Sequence, residues 1–126
     1  DLINTAEDVM RFIGDVNHKC AKVLLDGFHM TIEESNIAEA IKLVGDKLLH
    51  VQVSEKHRGV PGTGLTPWAD FAEGLKAIEY KGAIVIESFT PEIKELDGAV
   101  CIWKNIAKSQ DEFASQGIDF LKRTFN

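Results

Sequence analysis

Two spacings of apolar residues alternate along the chain. Apolar positions three and four residues apart predict helices over residues 4–18, 35–45, 67–80, 93–107 and 109–125. Between the helices, residues 22–26, 47–53 and 82–88 are short and apolar, as is typical of buried strands. Strands that alternate with helices predict an α/β fold with a parallel sheet covered by helices.

The helix boundaries have recognisable signals. Asn4 or Thr5 is the expected cap of the first helix, and Ser35 of the second. Gly45 is the expected stop of the second helix. The segment between the first strand and Ser35 is expected to be a loop.

A faint repeat also runs through the chain. Residues 37–53 align with residues 71–87 at an offset of 34 residues. A repeated βα unit favours a (β/α)8 barrel over a nucleotide-binding fold, and such a barrel needs about 250 residues. With 126 residues, we expect a single domain, residues 1–126, that is a half-barrel fragment of a longer chain.

Composition excludes several classes of protein. The net charge is -6 and no basic block is present, so nucleic acid binding by a broad positive face is disfavoured. No apolar run approaches the length of about 20 residues that a membrane span requires. Cys20 and Cys101 lack metal-site spacing and favour buried free thiols over a disulfide, which indicates a cytoplasmic protein.

Polar residues mark the end of each predicted strand. The first strand ends at Asp26 and leads to His29, and the third ends at Glu87. The second strand passes His50 and Gln52 and leads to Glu55, His57 and Arg58. Parallel α/β folds bind ligands at the carboxyl ends of their strands. Asp26 and Glu87 are therefore candidate oxygen ligands for Mg2+, Mn2+ or a similar ion.

Structural alternatives exist for the same residues. Asp26 is also suited to capping a loop, and Glu87 to an ion pair with Arg58 or Lys81. Residues 58–64, RGVPGTG, lack the GK[ST] ending of a phosphate-binding P-loop. Their glycines and proline favour a rigid active-site loop instead.

Three segments carry a resemblance to a known family. LLDGFHMTIEE (24–34), HVQVSEKHRGVPGTG (50–64) and GAIVIESF (82–89) resemble, in order and spacing, the C-terminal half of ketose 3-epimerases. These enzymes, of the D-tagatose, D-psicose and L-ribulose 3-epimerase type, belong to the xylose isomerase-like TIM-barrel superfamily. The resemblance covers residues 1 to about 107. It implies the C-terminal portion, strands six to eight with their helices, of a (β/α)8 barrel with Mn2+ or Mg2+ at its mouth.

The resemblance also implies roles for individual residues. Asp26 and Glu87 would be metal ligands. Glu87 would also be one of two glutamates that take a proton from C3 of a free ketose and return it on the other face. His29 and Arg58 would bind the O1/O2 end of the substrate.

Two departures from the family pattern change this expectation. Gln52 stands where the family usually has a histidine ligand, although its amide oxygen can ligate a metal, and His50 lies two residues earlier on the same face. Related hydroxypyruvate isomerases resemble this chain in having Gln at that position. The other proton-transferring glutamate of the family would lie upstream of Asp1.

The resemblance therefore implies a metal-dependent epimerase as the full-length parent, with an inactive isolated chain. A hydroxypyruvate-isomerase-like aldose–ketose isomerase and a non-catalytic structural fragment remain alternatives. DNA cleavage by the related endonuclease branch is disfavoured, because the strand ends carry few histidines. Unpaired strand edges and an apolar inner face predict a homo-oligomer, at least a dimer. The candidate residues of that face are Leu24, Leu49, Val51, Ile84 and Ile86.

Overall fold

The computed structural model describes residues 2–89, 102 and 104–126. The chain divides into two compact units, one of Asp1–Val53 with Pro67–Val85 and one of Ser54–Thr66 with Ile86–Asn126. We call them the sheet unit and the loop unit. That residues 1–126 form a single domain stays a prediction.

The predicted alternation of helices and strands is confirmed. In chain order the elements are α1 (Ala6–Val16), β1 (Val23–Asp26), α2 (Gly27–Glu33), α3 (Ile37–Val44), β2 (Leu48–Val53), α4 (Trp68–Ala77), β3 (Ala83–Ile86) and α5 (Gln110–Phe125). Residues 93–101 and 103 of the helix predicted over 93–107 lie outside the described residues, and residues 104–107 are not helical. In the part of the chain that is described, no helix combines the length and the apolar character needed to cross a membrane.

The helix ends follow from local hydrogen bonds. Thr5 caps α1 in a capping box, in which its hydroxyl accepts the Asp8 N–H at 3.2 Å and the Asp8 carboxylate accepts the Thr5 N–H at 3.2 Å. The cap of α3 is Asn36 and not the predicted Ser35, since the Asn36 amide oxygen accepts an N–H of the first turn at 3.0 Å. Gly45 ends α3 as predicted, with a positive φ of 53°.

The sheet has the order β1-β2-β3, and β1 pairs with β2 in parallel. Val23 lies opposite Leu48 and Leu24 opposite His50, so Leu49 is an extra residue, as in a β-bulge. Leu25 and Val51 then pair on the buried face, while Leu24 is 51% exposed. The predicted inner face is therefore wrong for Val51, because the bulge shifts the alternation of β2 by one position.

The core of the sheet unit lies around α3 and α4. Phe71 is fully buried, and Ile41 and Val44 are 1% exposed; burying each such side chain contributes about 1.5–3 kcal/mol. A Cβ on Gly74 would lie 2.9 Å from the Ile41 Cβ, so glycine lets the two helices approach closely.

The loop unit joins residues 54–66 to the last helix. Ser109 caps α5, and Gly117 and Leu121 are its buried residues. A Cβ on Gly117 would lie 3.2 Å from Pro61 Cδ, which places this helix directly against the loop. The cysteine prediction is corrected in part: Cys20 is free but exposed rather than buried, and Cys101 lies outside the described residues.

Candidate active site

The carboxyl end of β1 carries Asp26. Its Oδ1 accepts the Phe28 N–H at 2.9 Å, so Asp26 is the cap of α2. Gly27 starts that helix so close to the sheet that a Cβ would lie 3.3 Å from the Gln52 carbonyl oxygen. Capping occupies one carboxylate oxygen, and Oδ2 remains 4.0 Å from His29 Nε2.

His29 lies on a helix and not on the expected loop. The segment after Asp26 forms α2 because the aspartate cap satisfies a free N–H of its first turn. The His29 side chain is 66% exposed and packs its ring edge-to-face against Phe28 at 5.4 Å. It is therefore accessible to a ligand beside Asp26.

Gln52 lies directly opposite Asp26 on the neighbouring strand. Both residues are half-buried, and the Gln52 side-chain amide makes no hydrogen bond to any other described residue. Their carboxylate and amide oxygens are the donors that hard divalent cations prefer. Within the described residues no group of three His, Cys, Asp or Glu gathers around a single point. Asp26 and Gln52 offer two oxygen donors, which would be part of a ligand set and not a complete one.

In the loop unit, Arg58 and Glu87 form an ion pair. Arg58 Nη1 donates to Glu87 Oε2 at 2.6 Å, with side chains 8% and 29% exposed respectively. The alternative interpretation, that Glu87 pairs with Arg58, therefore describes this structure. The prediction that Glu87 ends the third strand is wrong by one residue, because β3 ends at Ile86 and Glu87 follows it.

Arg58 is held in an unusual backbone conformation. Its φ is 62°, in the left-handed region that costs an ordinary residue about 1–2 kcal/mol. Its N–H donates to the Glu55 carbonyl at 2.8 Å, and its carbonyl accepts the Ser88 hydroxyl at 2.7 Å. The guanidinium also lies 5.2 Å from the centre of the Phe89 ring. These contacts fix both the backbone and the side chain.

Glu55 is a residue that the sequence analysis placed just past the second strand without giving it a role. It is completely buried, and its carboxylate accepts the N–H groups of Gly62 and Thr66. A signal was present: the acidic residue precedes a glycine-rich turn, whose exposed N–H groups need an acceptor.

A family model described as xylose isomerase-like TIM barrel matches residues 1–124. The chain belongs to this family. The predicted fold class, an α/β portion of a TIM barrel, is thereby confirmed.

Several relatives of the chain are ketose 3-epimerases. The chain is 36% identical to the L-ribulose 3-epimerase of Methylomonas sp. over 99% of its own length and 44% of the relative's. It is 40% identical to the D-psicose 3-epimerase of Ruminiclostridium cellulolyticum, over 88% of its length and 38% of the relative's. The crystal structure of a Methylomonas D-allulose 3-epimerase in complex with D-allulose matches with a TM-score of 0.90 and 37% identity, over 98% of this chain and 43% of the other. The chain thus spans about two fifths of the length of these relatives.

Proposed function

We propose that the complete protein containing this chain is an isomerase that epimerises a free ketose at C3. The main support is the pair of oxygen donors, Asp26 and Gln52, at the carboxyl ends of adjacent parallel strands. The ketose 3-epimerases that match nearly the whole chain support the same reaction class.

In this proposal each side chain has a defined task. Glu87 takes the proton from C3, and Arg58, which donates to its Oε2, orients the carboxylate. The rigid Arg58 and the accessible His29 bind and orient the O1/O2 end of the sugar. A second carboxylate, outside this chain, returns the proton on the opposite face.

The proposed ligands of a divalent cation, Mn2+ or Mg2+, are Asp26, Gln52 and Glu87. When bound, the cation would polarise the ketose carbonyl and make the neighbouring C–H more acidic. Asp26 is oriented for such a role by its bond to Phe28, which fixes Oδ1 and leaves Oδ2 available.

Two alternatives to C3 epimerisation also belong to this proposal. Gln52 at the histidine position supports the aldose–ketose isomerase alternative of the hydroxypyruvate isomerase kind. For the isolated 126-residue chain, we expect the non-catalytic alternative, with no turnover and weak Mn2+ binding. Titration calorimetry that gave tight one-to-one Mn2+ binding to this chain would contradict that expectation.

We also propose that the isolated chain is at least a dimer, since Leu24 and Leu49 of the predicted inner face are 51% and 63% exposed. Size-exclusion chromatography with light scattering tests this, and a 14.0 kDa monomer with cooperative unfolding would refute it. The cytoplasmic location stays a prediction.

The proposed reaction is tested by a substrate panel. The complete protein, loaded with Mn2+ or Mg2+, is incubated with D-allulose, D-tagatose, L-ribulose and hydroxypyruvate, and the products are separated by chromatography. We expect C3 epimers of at least one ketose. Turnover of hydroxypyruvate alone would favour the isomerase alternative, and no turnover of any compound would reject both.

A further inference from the structure

The Glu55 carboxylate is buried in the loop unit without a role in the proposed reaction. Its Oε2 accepts the Gly62 N–H at 3.0 Å and its Oε1 accepts the Thr66 N–H at 2.8 Å, while the residue is 0% exposed. Burying a carboxylate is costly unless hydrogen-bond donors compensate it. The adjacent Lys56 N–H also donates to Oε1, at 3.4 Å, but the two shorter bonds come from the far end of the loop, so one side chain ties residue 55 to residues 62 and 66.

The loop backbone is closely wrapped around this carboxylate. A Cβ on Gly64 would lie 2.7 Å from Glu55 Oε1 and 2.8 Å from His57 Nε2, closer than real Cβ contacts. Gly62 has a φ of 85° and packs directly against Phe120 of α5. Glycine is thus required at both positions, by the carboxylate at one and by backbone conformation and the helix at the other.

The same residue also contacts Arg58 through its backbone. The Glu55 carbonyl accepts the Arg58 N–H at 2.8 Å, within the turn that holds Arg58 at its positive φ. A left-handed non-glycine residue persists only where its surroundings over-determine the backbone. The Arg58 side chain in turn reaches Ser54 Oγ at 3.3 Å and Glu87 at 2.6 Å.

We propose that Glu55 is the positioning residue for Arg58: by closing residues 55–66 around its buried carboxylate, it places the guanidinium for the substrate. This inference rests on the proposed function, in which Arg58 binds the sugar. The competing view is that Glu55 only stabilises the loop unit. The two views differ in whether the effect of Glu55 on the reaction depends on Arg58.

A double-mutant cycle on the complete protein separates them. Glu55→Gln keeps the size of the side chain but turns an amide NH2 toward backbone N–H groups that need an acceptor. We expect KM for the ketose to rise between about tenfold and a hundredfold, the scale of loss for a displaced positioning group. In an Arg58→Ala background the same change should leave kcat/KM almost unaltered, because coupled residues do not act additively.

Controls address stability and charge. Val44→Ala in the core of the sheet unit lowers the stability without touching the loop, and Glu79→Gln repeats the chemical change at an exposed site; neither should change KM. If Glu55→Gln fails to fold, Gly64→Ala displaces the carboxylate from the opposite side and enters the same cycle.

The outcomes are distinct. An active wild-type protein in which the losses from Glu55→Gln and Arg58→Ala multiply would overturn this proposal and leave the proposed function intact. An inactive wild-type protein would overturn both.

Discussion

Two carboxylates lie at or just past the carboxyl ends of strands in this chain and are used in different ways. Asp26 gives one oxygen to a backbone N–H and retains the other beside an exposed histidine, with a side chain that is 15% exposed. Glu55 gives both oxygens to backbone N–H groups and has no exposed surface. The two residues have the same chemical group and lie near the ends of neighbouring strands, yet only Asp26 retains an oxygen that solvent or a ligand can approach.

This difference distinguishes a carboxylate that can bind a ligand from one that only stabilises the backbone of this chain. A carboxylate whose oxygens are both satisfied by the backbone holds a conformation, since any ligand would have to displace those bonds. A carboxylate with one committed oxygen is oriented and still able to bind. Glu87, with Oε2 bonded to Arg58 and 29% exposure, belongs with Asp26 in this respect.

Among variants that test the comparison of Asp26 with Glu55, the largest expected effect is that of Asp26→Asn. Asparagine retains an oxygen that can cap α2 but removes the charge available to a cation. We expect activity of the complete protein to fall by at least about tenfold to a hundredfold, the loss that even outer-shell metal substitutions cause, and to recover partly as Mn2+ is raised. The check is kcat/KM over a series of Mn2+ concentrations. Wild-type activity at limiting metal would remove Asp26 from the ligand set.

Gly64→Ala tests how closely the loop packs around the Glu55 carboxylate. A Cβ at 2.7 Å from the carboxylate forces the backbone to shift, and overpacking of this kind costs about 1–3 kcal/mol. The matched control is Gly14→Ala in α1, where an added Cβ would meet no atom within 4 Å beyond its own turn of helix and alanine should stabilise the helix by about 0.5–1 kcal/mol. Urea unfolding measures both, and an equal response would show that the loop yields freely.

The smallest expected effect is at the cap of α1, which neither carboxylate touches. Thr5→Ala should lower the free energy of unfolding by about 1 kcal/mol and leave substrate kinetics unchanged.

The pH dependence of that effect has a definite sign. The hydrogen bond from the Thr5 hydroxyl, with that from the Asn4 N–H, lowers the pKa of Asp8 from its ordinary value of 3.8. The associated stability is present above pH 3.8 and is lost as the pH falls through the lower folded-state pKa. The difference between wild type and variant should therefore shrink in acid. A constant difference down to pH 2 would mean that the capping box contributes nothing through Asp8.

The sequence predicts elements well where the signal is local. Gly45 ends α3 and Thr5 caps α1 as expected, because caps depend on residues within one turn. The segment of α2 was predicted to be a loop because its only start signal, Asp26, is equally typical of the end of a strand. The bulge at Leu49 depends on strand pairing and is not encoded in the alternation of β2 alone.

The candidate site also contains one feature that the sequence predicts and one that it does not. Parallel-strand geometry brings Asp26 opposite Gln52, as expected from residues at strand ends. The burial of Glu55 depends on glycines up to nine residues further along the chain, at a distance where periodicity carries no information.

The central claim is that Glu87 moves a proton at C3 of a ketose. The complete protein with Mn2+ is incubated with a ketose in deuterium oxide, and loss of the C3–H signal is followed by NMR for wild type and Glu87→Gln. We predict steady exchange by the wild type and a rate about a hundredfold to ten-thousandfold lower for the variant, the range for a lost general base. Absence of C3 exchange in the wild type, or undiminished exchange in Glu87→Gln, would contradict the account.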